Sequence, residues 1–335
     1  MIDFTTVIVT YANRGAFVKR VVYECISAGC NTFFIVDNGS SNDSKNIIHD
    51  LQVHYAHADF YIIENDKNMG SAFAFSQAMD EVCSDRNNNE HILFLDDDNV
   101  AENGAIQNAL KLSEEDGPDN VYFLLRKDRQ HYINFINTNN EATLIGEDNS
   151  FLTFTTSSFI KRIINKVFKK EKKQKLKPDA SLKISVPCGP YGGMLTTKSI
   201  LKGGVRPFRE MFLYFDDTNY TMDLKRSGVH LWLLPYYNII DIDNSWTNEK
   251  PRNIFSSPLF EASEYKVRYT LRNRIFFELN HTVTNKLIYG VNIFSFMMIH
   301  FVKALLSGNI KRYFPLYVYI YNGIVFYKEK GNNNS

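Results

Sequence analysis

The alternation of strand-like and helix-like segments over the first 125 residues constrains the fold of this chain more than any other feature. Strands that alternate with helices at this spacing are typical of βαβ units, and they predict an α/β fold with a mainly parallel central sheet. In such sheets ligands bind beside the carboxyl ends of the strands. The strand-like runs are residues 5–10, 32–36, 60–63 and 92–95, and the helix-like stretches are 16–28, 71–83 and one that begins near residue 43.

Polar clusters follow three of these strands, at residues 10–14, 37–43 and 96–98. Taken singly, the first two clusters are typical of loops and helix caps. Because the carboxyl ends of parallel strands meet at one edge of a sheet, their recurrence predicts a single ligand site at that edge.

The third cluster consists of three consecutive carboxylates, Asp96, Asp97 and Asp98, directly after an apolar run. Like charges at a buried strand end repel each other, so we expect a cation to offset them. In an extended chain Asp96 and Asp98 would point to the same face. Two such carboxylates suit Mg²⁺ or Mn²⁺, which leave positions for phosphate oxygens. The alternative is an ordinary acidic β-turn.

A second carboxylate pair, Asp216 and Asp217, ends the aromatic run 211–215 and enters a predicted helix that reaches about Arg226. The alternative is a pair that only complements the dipole of that helix. Between the two clusters lies a glycine-rich stretch at 187–194. Such a stretch either lets the backbone approach a ligand closely or makes a sharp bend.

Composition and charge limit the function classes. The chain has 335 residues, is 44% hydrophobic and carries a formal net charge of +1, which fits one large or two small domains and gives no electrostatic argument for nucleic acid. The four cysteines form no CxxC pair, which predicts a reduced, cytoplasmic setting. The N-terminus lacks the basic start and long apolar stretch of a signal peptide, so we expect a protein that is not exported.

Two regions raise the question of a membrane. Residues 160–177 are strongly basic, and their first half has apolar residues at helical spacing, which is typical of a helix on an anionic membrane surface. A solvated helix that runs into a mobile basic loop fits equally. Residues 287–306 are nearly all apolar but contain three polar breaks, so a membrane span is borderline. We expect peripheral membrane contact, and the alternative is a helical pair packed on the rest of the chain.

The motifs together resemble the inverting family 2 glycosyltransferases from residue 5 to about residue 246. The segment Arg272-Asn273-Arg274 resembles one that is common after the catalytic domain of bacterial rhamnosyltransferases and galactofuranosyltransferases. The whole set is more specific than any of its members. The motifs that carry it are Val9-Thr10-Tyr11, Val36-Asp37-Asn38-Gly39-Ser40-Ser41, Asn68-Met69-Gly70, Phe94-Leu95-Asp96-Asp97-Asp98, Gly192-Gly193 and Phe215-Asp216-Asp217.

The resemblance implies a glycosyltransferase-A fold, with a helical extension at the C-terminal end. Residues 1–250 would form the catalytic domain, with a nucleotide-binding part at 1–125 and an acceptor-binding part at 126–250. Residues 251–335 would form a helical region that associates with a membrane.

The resemblance also assigns roles to single residues. Asp217 would be the general base, with Asp216 as the alternative. The residues that would bind the nucleotide sugar are Thr10, Asp37, Asn68 and Asp97.

A divalent cation, Mn²⁺ or Mg²⁺, would be held by Asp96 and Asp98. Related galactofuranosyltransferases supply a further metal-binding histidine several residues after the Leu-Pro that follows the base helix. The matching position in this chain is Asp241. Aspartate can also bind these cations, but Asp243 and His230 are rivals for the role.

By the same resemblance, the chain would transfer galactofuranose or rhamnose, with inversion, from a UDP- or dTDP-sugar to a glycan or lipid-linked acceptor. It would act in cell-surface polysaccharide biosynthesis on the cytoplasmic face of the membrane. The Gln-x-x-Arg-Trp motif of processive synthases is missing from the sequence, which favours the addition of one or a few sugars. Two alternatives remain: a phosphatase of the haloacid-dehalogenase type with Asp96 as nucleophile, and a non-catalytic nucleotide-sugar-binding protein.

Overall fold

The computed structural model describes residues 2–166, 181–243 and 257–331. These residues fall into two compact units. The first holds the described residues of 1–139, 175–212 and 216–246, and the second holds those of 140–174, 213–215 and 247–335. The domain boundary predicted at residue 250 lies outside the described residues and stays a prediction, as does the role of Lys169 to Lys177 in the basic segment.

Nine strands form one sheet in the described part of the chain. Their order across the sheet is β3-β2-β1-β4-β8-β6-β9-β5, and β7 pairs with β9. The strands are β1 (Phe4–Ala12), β2 (Thr32–Ser40), β3 (Asp59–Asn65), β4 (His91–Asp96), β5 (Asn99–Ala101), β6 (Asn120–Arg126), β7 (Ile184–Ser185), β8 (Met194–Thr197) and β9 (His230–Asp241).

The sheet confirms the α/β fold class and combines parallel with antiparallel pairs. Strands β3, β2, β1 and β4 are parallel neighbours, as are β6 and β9. Strands β5, β7 and β8 pair antiparallel, which makes the sheet mixed. In the parallel part, Thr10 is in register with Asp37 and Val9 with Asp96. The polar clusters therefore lie at one edge of the sheet.

Helices connect most of these strands. They are α1 (Gly15–Ser27), α2 (Asn42–His54), α3 (Ser71–Val82), α4 (Ala105–Asp116), α5 (Gln130–Thr138), α6 (Ala142–Ile145), α7 (Thr156–Lys166), α8 (Lys198–Lys202), α9 (Asp216–Arg226), α10 (Pro258–Glu261), α11 (Glu264–His281), α12 (Lys286–Leu306), α13 (Ile310–Tyr313) and α14 (Pro315–Lys330).

Helix α1 shows how the sequence builds the layer against the sheet. Its residues Val18, Val21, Val22 and Cys25 are buried, and their spacing places them on one helical face. They belong to the same hydrophobic core as Phe33 and Ile35 of the sheet and other residues of the first unit. Burial of this face is what holds the helix against the sheet.

Helix α11 organises the second unit and contains the Arg272-Asn273-Arg274 segment. Arg274 and Glu278 form a buried ion pair at 2.6 Å, and the Tyr289 hydroxyl donates to the same carboxylate at 2.8 Å. Asn273 is fully buried, and its Nδ2 donates to the Leu213 carbonyl at 2.6 Å. The segment therefore has a structural role inside this unit.

Candidate active site

The three carboxylates at the end of β4 do not lie on an extended chain. The strand ends at Asp96, and Asp97 and Asp98 form a turn before β5 begins. The expectation that Asp96 and Asp98 share a strand face is therefore wrong. The chain turns here because β5 runs back to pair antiparallel with β9, so the acidic turn describes the backbone correctly.

One guanidinium, that of Arg14, holds the turn. Its Nε lies 2.8 Å from Asp97 Oδ1, its Nη2 lies 2.8 Å from Asp98 Oδ2, and its Nη1 lies 2.7 Å from Asp243 Oδ2. The hydroxyl of Thr10 donates to Asp97 Oδ2 at 2.7 Å. Thr10 and Asp97, both predicted to bind the nucleotide, are thus hydrogen-bonded to each other between the ends of β1 and β4.

A second guanidinium, that of Arg126 at the end of β6, bridges the other carboxylates. Its Nη1 lies 3.4 Å from Asp96 Oδ2, and its Nη2 pairs with Asp241 Oδ1. Asp241 Oδ2 also pairs with Arg129 at 2.8 Å, and Asn99 Nδ2 donates to Asp241 Oδ1 at 2.8 Å. The structure therefore brings Asp241 beside the end of β4, where the sequence predicted the third metal ligand.

The rival ligand His230 lies elsewhere. It is the first residue of β9 and is in register with Asn120, whereas Ile239, near the other end of the strand, is in register with Arg126. On the neighbouring strand the matched positions Asn120 and Arg126 are six residues apart, or roughly 20 Å at about 3.3 Å per residue, so His230 and Asp241 lie at opposite ends of β9. Asp243 belongs to the Arg14 network instead, as described above.

Burial changes the protonation of the turn carboxylates. It raises the pKa of Asp97 to about 7, against the opposing effect of Arg14. It raises the pKa of Asp98 to about 6, and the nearby charge of Asp96 acts in the same direction. Both carboxylates would therefore be easier to ionise if a further cation were present.

The fit of a divalent cation rests on donor chemistry rather than on a ready-made site. Within residues 2–166, 181–243 and 257–331, no three side chains of His, Cys, Asp or Glu converge to hold a metal. The oxygens of Asp96, Asp98 and Asp241 are nonetheless the ligands that Mg²⁺ and Mn²⁺ prefer. A Cβ at Gly192 would lie 2.5 Å from Asp96 Oδ2, so the glycine leaves room beside this oxygen. The carboxylates fit the cation chemically, but arginines hold them.

The second carboxylate pair lies at the start of α9. Asp216 is buried, and its Oδ2 accepts a hydrogen bond from the Ser71 hydroxyl at 2.8 Å. Burial and the adjacent Asp217 raise the pKa of Asp216. Asp217 is more exposed than its neighbour, and its Oδ1 accepts from the Thr218 amide at 2.6 Å. Burial also raises the pKa of Asp217, which strengthens it as a base.

The backbone before this pair is strained. Phe212, Tyr214 and Phe215 all have φ between 62° and 69°, a region that side-chain-bearing residues rarely adopt. The Ala72 amide donates to the Phe212 carbonyl at 3.3 Å, and a Cβ at Gly70 would clash with that carbonyl oxygen. The glycine of the Asn68-Met69-Gly70 motif therefore allows α3 to begin against Phe212.

Asp37 lies near the end of β2, and Asn68 follows the neighbouring strand β3. Asp37 is buried and its Oδ1 accepts from the Ser40 amide at 2.7 Å, while its Oδ2 is buried without a hydrogen-bond partner in the described ranges. Asn68 is exposed, and its Oδ1 accepts from the Gly70 amide at 2.8 Å. Asn38 joins the two loops, since its Oδ1 accepts from the Met69 amide at 2.9 Å. The sequence analysis gave Asn38 no role of its own.

No sequence motif assigned a role to Arg14, Arg126 or Arg129. Arg14 was inside the first polar cluster, and Arg126 follows an apolar strand just as Asp96 does. A charged residue directly after a buried strand was therefore the signal that could have identified Arg126. Which carboxylates the arginines meet depends on strand order, which was not predicted beyond β4.

Comparison with known proteins gives a family and a set of similar structures. The family model described as Glycosyl transferase family 2 matches residues 6–195. No curated protein sequence matches the chain significantly.

Three solved structures resemble the chain. GalNAc-T7 with UDP, GalNAc and Mn²⁺ has a TM-score of 0.51 at 11% identity, over 84% of this chain and 48% of that one. S. aureus TarS 1–349 has a TM-score of 0.50 at 12% identity, over 97% and 81%. The mannosyltransferase PcManGT from Pyrobaculum calidifontis, in complex with GDP-Man and Mn²⁺, has a TM-score of 0.51 at 10% identity, over 93% and 73%. This chain thus spans about half the length of GalNAc-T7, and identities this low show a shared fold alone.

Proposed function

The chain belongs to glycosyl transferase family 2 and has the glycosyltransferase-A fold, and from this premise we propose that it transfers galactofuranose or rhamnose from a UDP- or dTDP-sugar, with inversion. The acceptor is a glycan or a lipid-linked oligosaccharide in cell-surface polysaccharide biosynthesis. The observation that carries the proposal is the presence of two separate carboxylate groups. One is paired with arginines at the end of β4, and the other, Asp216 and Asp217, begins α9.

The second carboxylate group supplies the base. An acceptor hydroxyl must lose its proton as it attacks the anomeric carbon, and a carboxylate within hydrogen-bond reach takes that proton. We assign this role to Asp217, because Asp216 is buried and already accepts a hydrogen bond from the Ser71 hydroxyl. A single displacement, with the base on the side opposite the leaving group, gives inversion.

The first carboxylate group holds the metal in this proposal. Asp96, Asp98 and Asp241 would bind Mn²⁺ or Mg²⁺, in keeping with the Mn²⁺ in the structures of GalNAc-T7 and PcManGT. When bound, the cation offsets the charge that develops on the diphosphate leaving group. Asn99 holds Asp241 in place, and Gly192 leaves space beside Asp96.

The nucleotide part of the donor is assigned to the ends of β1, β2 and β3. The buried Oδ2 of Asp37 has no hydrogen-bond partner in the described part of the chain, and Lys45 Nζ lies 3.8 Å from it as an ion pair, so a uracil or thymine N–H or a ribose hydroxyl could satisfy it. Asn68 is exposed at the neighbouring loop. Thr10 and Asp97 bind each other and would support the same subsite.

Peripheral contact with the cytoplasmic face of a membrane completes the proposal. In the part of the chain that the structure describes, α12 alone is long and apolar enough to span a membrane by length and composition, and a third of it is buried. Its outer face carries exposed apolar residues, and Lys286 and Lys303 lie on the same helix. We favour a helix lying on an anionic surface. The exposed residues are Leu287, Ile288, Val291, Phe294, Met298, Val302, Leu305 and Leu306.

A donor screen with the Asp217→Asn variant tests this function. The purified chain, Mn²⁺ and a lipid-linked acceptor are incubated with a panel of nucleotide sugars, and release of the nucleotide is measured. We expect one donor to be used, and the substitution to lower kcat by about a hundredfold to ten-thousandfold, the range for loss of a general base.

The matched control is Asp223→Asn on the same helix, where Asn219 donates to the carboxylate. This variant should keep nearly full activity. No nucleotide release with any donor would contradict the enzyme assignment. Donor binding without turnover would favour the non-catalytic reading, and an active Asp217→Asn would contradict the base assignment.

A further inference from the structure

Arg126 is placed where it competes with a cation. Its side chain is 11% exposed, and its two ion pairs in the described ranges are with Asp96 and Asp241, both assigned to the metal above. A carboxylate oxygen that accepts from a guanidinium has given up part of its capacity to bind a metal. Arg126 and a divalent cation therefore compete for these carboxylates.

Arg14, by contrast, keeps most of its contacts if Asp98 binds a cation. It also pairs with Asp97 and Asp243, and its guanidinium lies 4.9 Å from the centre of the Phe17 ring. These contacts anchor Arg14 independently of Asp98. Of the two arginines, Arg126 is thus the one whose main partners are both proposed metal ligands.

The charges of the cluster leave room for one divalent cation. Among the described residues, the two networks contain six carboxylates and three guanidiniums, which are those of Asp96, Asp97, Asp98, Asp128, Asp241 and Asp243 and of Arg14, Arg126 and Arg129. When all are ionised, three negative charges remain. A bound cation of charge +2 would offset two of them and take the partners of Arg126, which would leave its guanidinium able to serve an anion.

The donor groups of Arg126 also suit a phosphate. Its Nε is buried and has no hydrogen-bond partner in the part of the chain that the structure describes. A guanidinium binds phosphate through two parallel N–H donors, which a lysine cannot do. Displacement from Asp241 would free Nη2, the terminal nitrogen whose N–H runs parallel to that of Nε.

We propose that Arg126 is the resident counter-ion of Asp96 and Asp241, that a divalent cation displaces it, and that the displaced guanidinium then binds the diphosphate of the donor. The inference rests on the proposed function, since it assumes a metal and a nucleotide diphosphate at this site. It assigns two opposite effects to one side chain: Arg126 weakens binding of the cation alone and strengthens binding of the diphosphate once the cation is present.

Calorimetric titration of the full chain separates these effects without any measurement of turnover. Removal of Arg126 in Arg126→Met should tighten Mn²⁺ binding by about tenfold or more, the scale on which residues behind a metal ligand act. With Mn²⁺ saturating, the same variant should bind UDP or dTDP at least about tenfold more weakly, because a charge-assisted contact is lost.

Two controls accompany the titrations. Arg209→Met removes an arginine that pairs with Asp80 away from these carboxylates, and it should leave both affinities unchanged. Arg126→Lys keeps the charge but has a compact ammonium group in place of the planar guanidinium. Its affinities for Mn²⁺ and for the nucleotide should therefore lie between those of the wild type and those of Arg126→Met. Loss of the near-ultraviolet circular dichroism spectrum in Arg126→Met would mean that this variant does not fold, and Arg126→Lys would then be compared with the wild type instead.

Mn²⁺ binding by Arg126→Met that is equal to or weaker than that of the wild type overturns the inference, as does undiminished nucleotide binding. Absence of Mn²⁺ binding in every variant overturns it too. The proposed function is judged separately by the donor screen. Transfer that persists in EDTA would support the enzyme assignment and contradict the metal requirement. Absence of transfer, together with the expected Mn²⁺ titrations, would contradict the enzyme assignment alone.

Discussion

At the residue scale, the main feature of the site is that arginines rather than solvent offset its carboxylates. Arg14 and Arg126 are both largely buried, as are most of the aspartates they meet. Removing one partner of such a pair leaves an uncompensated buried charge, which is strongly destabilising. Gly192 is equally constrained, because the side chains of Asp96 and Asn99 fill the space beside its Cα.

Gly192 provides a test at this scale. In Gly192→Ala the new Cβ would lie 2.5 Å from Asp96 Oδ2 and clash with Asn99 Oδ1. Both of these side chains would have to move. We expect at least about tenfold weaker Mn²⁺ binding, the usual effect of disturbing the support of a ligand, as measured by calorimetry.

The control is Gly290→Ala in α12, where no atom lies within 4 Å of the added Cβ. Alanine is favoured over glycine in a helix by about 0.5–1 kcal/mol, so this variant should be slightly more stable and bind Mn²⁺ normally. Equal Mn²⁺ affinity for the two variants would show that Asp96 is not positioned by the space at Gly192.

At the scale of elements, the junction between the segment before α9 and the start of α3 determines where the second carboxylate pair lies. Residues held at unusual backbone angles cost about 1–3 kcal/mol each and persist only when their surroundings hold them. Here the Phe212 carbonyl accepts from the Ala72 amide, and the hydroxyl of the preceding residue, Ser71, donates to Asp216. The start of one helix thus fixes the start of another.

Gly70→Ala tests this junction. Gly70 has φ of +88°, and an added Cβ would clash with the Phe212 carbonyl oxygen. The variant should lose about 1–3 kcal/mol of unfolding free energy from backbone strain and, in addition, most of its kcat, because Asp216 and Asp217 follow the displaced segment.

Gly117→Ala is matched for strain, since Gly117 has φ of +90° with nothing within 4 Å of the added Cβ. It should lose only the strain contribution, about 1–3 kcal/mol in urea denaturation, and keep its kcat. If Gly70→Ala is as active as Gly117→Ala, the contact with Phe212 does not position the carboxylates.

At the scale of the whole molecule, the charged site and the apolar helix face belong to different compact units. The first unit carries the carboxylates and arginines, and the second carries α12 with its exposed apolar residues. Eight exposed apolar side chains on one helix form the kind of patch that is typical of an interaction surface.

Sedimentation with lipid vesicles tests the membrane contact. The wild type should pellet with phosphatidylglycerol vesicles more than with phosphatidylcholine vesicles, and high salt should weaken the binding because it screens lysine charges. The double variant Phe294→Asp with Leu305→Asp should stay in the supernatant. Val53→Asp, at an exposed apolar residue of α2, is the control and should pellet normally; equal pelleting of all three proteins would contradict the proposal.

The sequence by itself determined the α/β class, the parallel strands β1 to β4 and the convergence of Thr10, Asp37 and Asp96 at one sheet edge. It could do so because strand and helix periodicities are local and because parallel strands end together. It also indicated that Asp216 and Asp217 begin a helix, as they do in α9.

Only the tertiary structure decided what the charged residues contact. Asp241 reaches Asp96 because β5 turns back to pair with β9, and Arg126 reaches both because β6 lies beside β9. These pairings join residues more than a hundred positions apart, so no local pattern could predict them. The sequence therefore determined that negative charge gathers at this edge, and the packing of distant strands decided that arginines balance it.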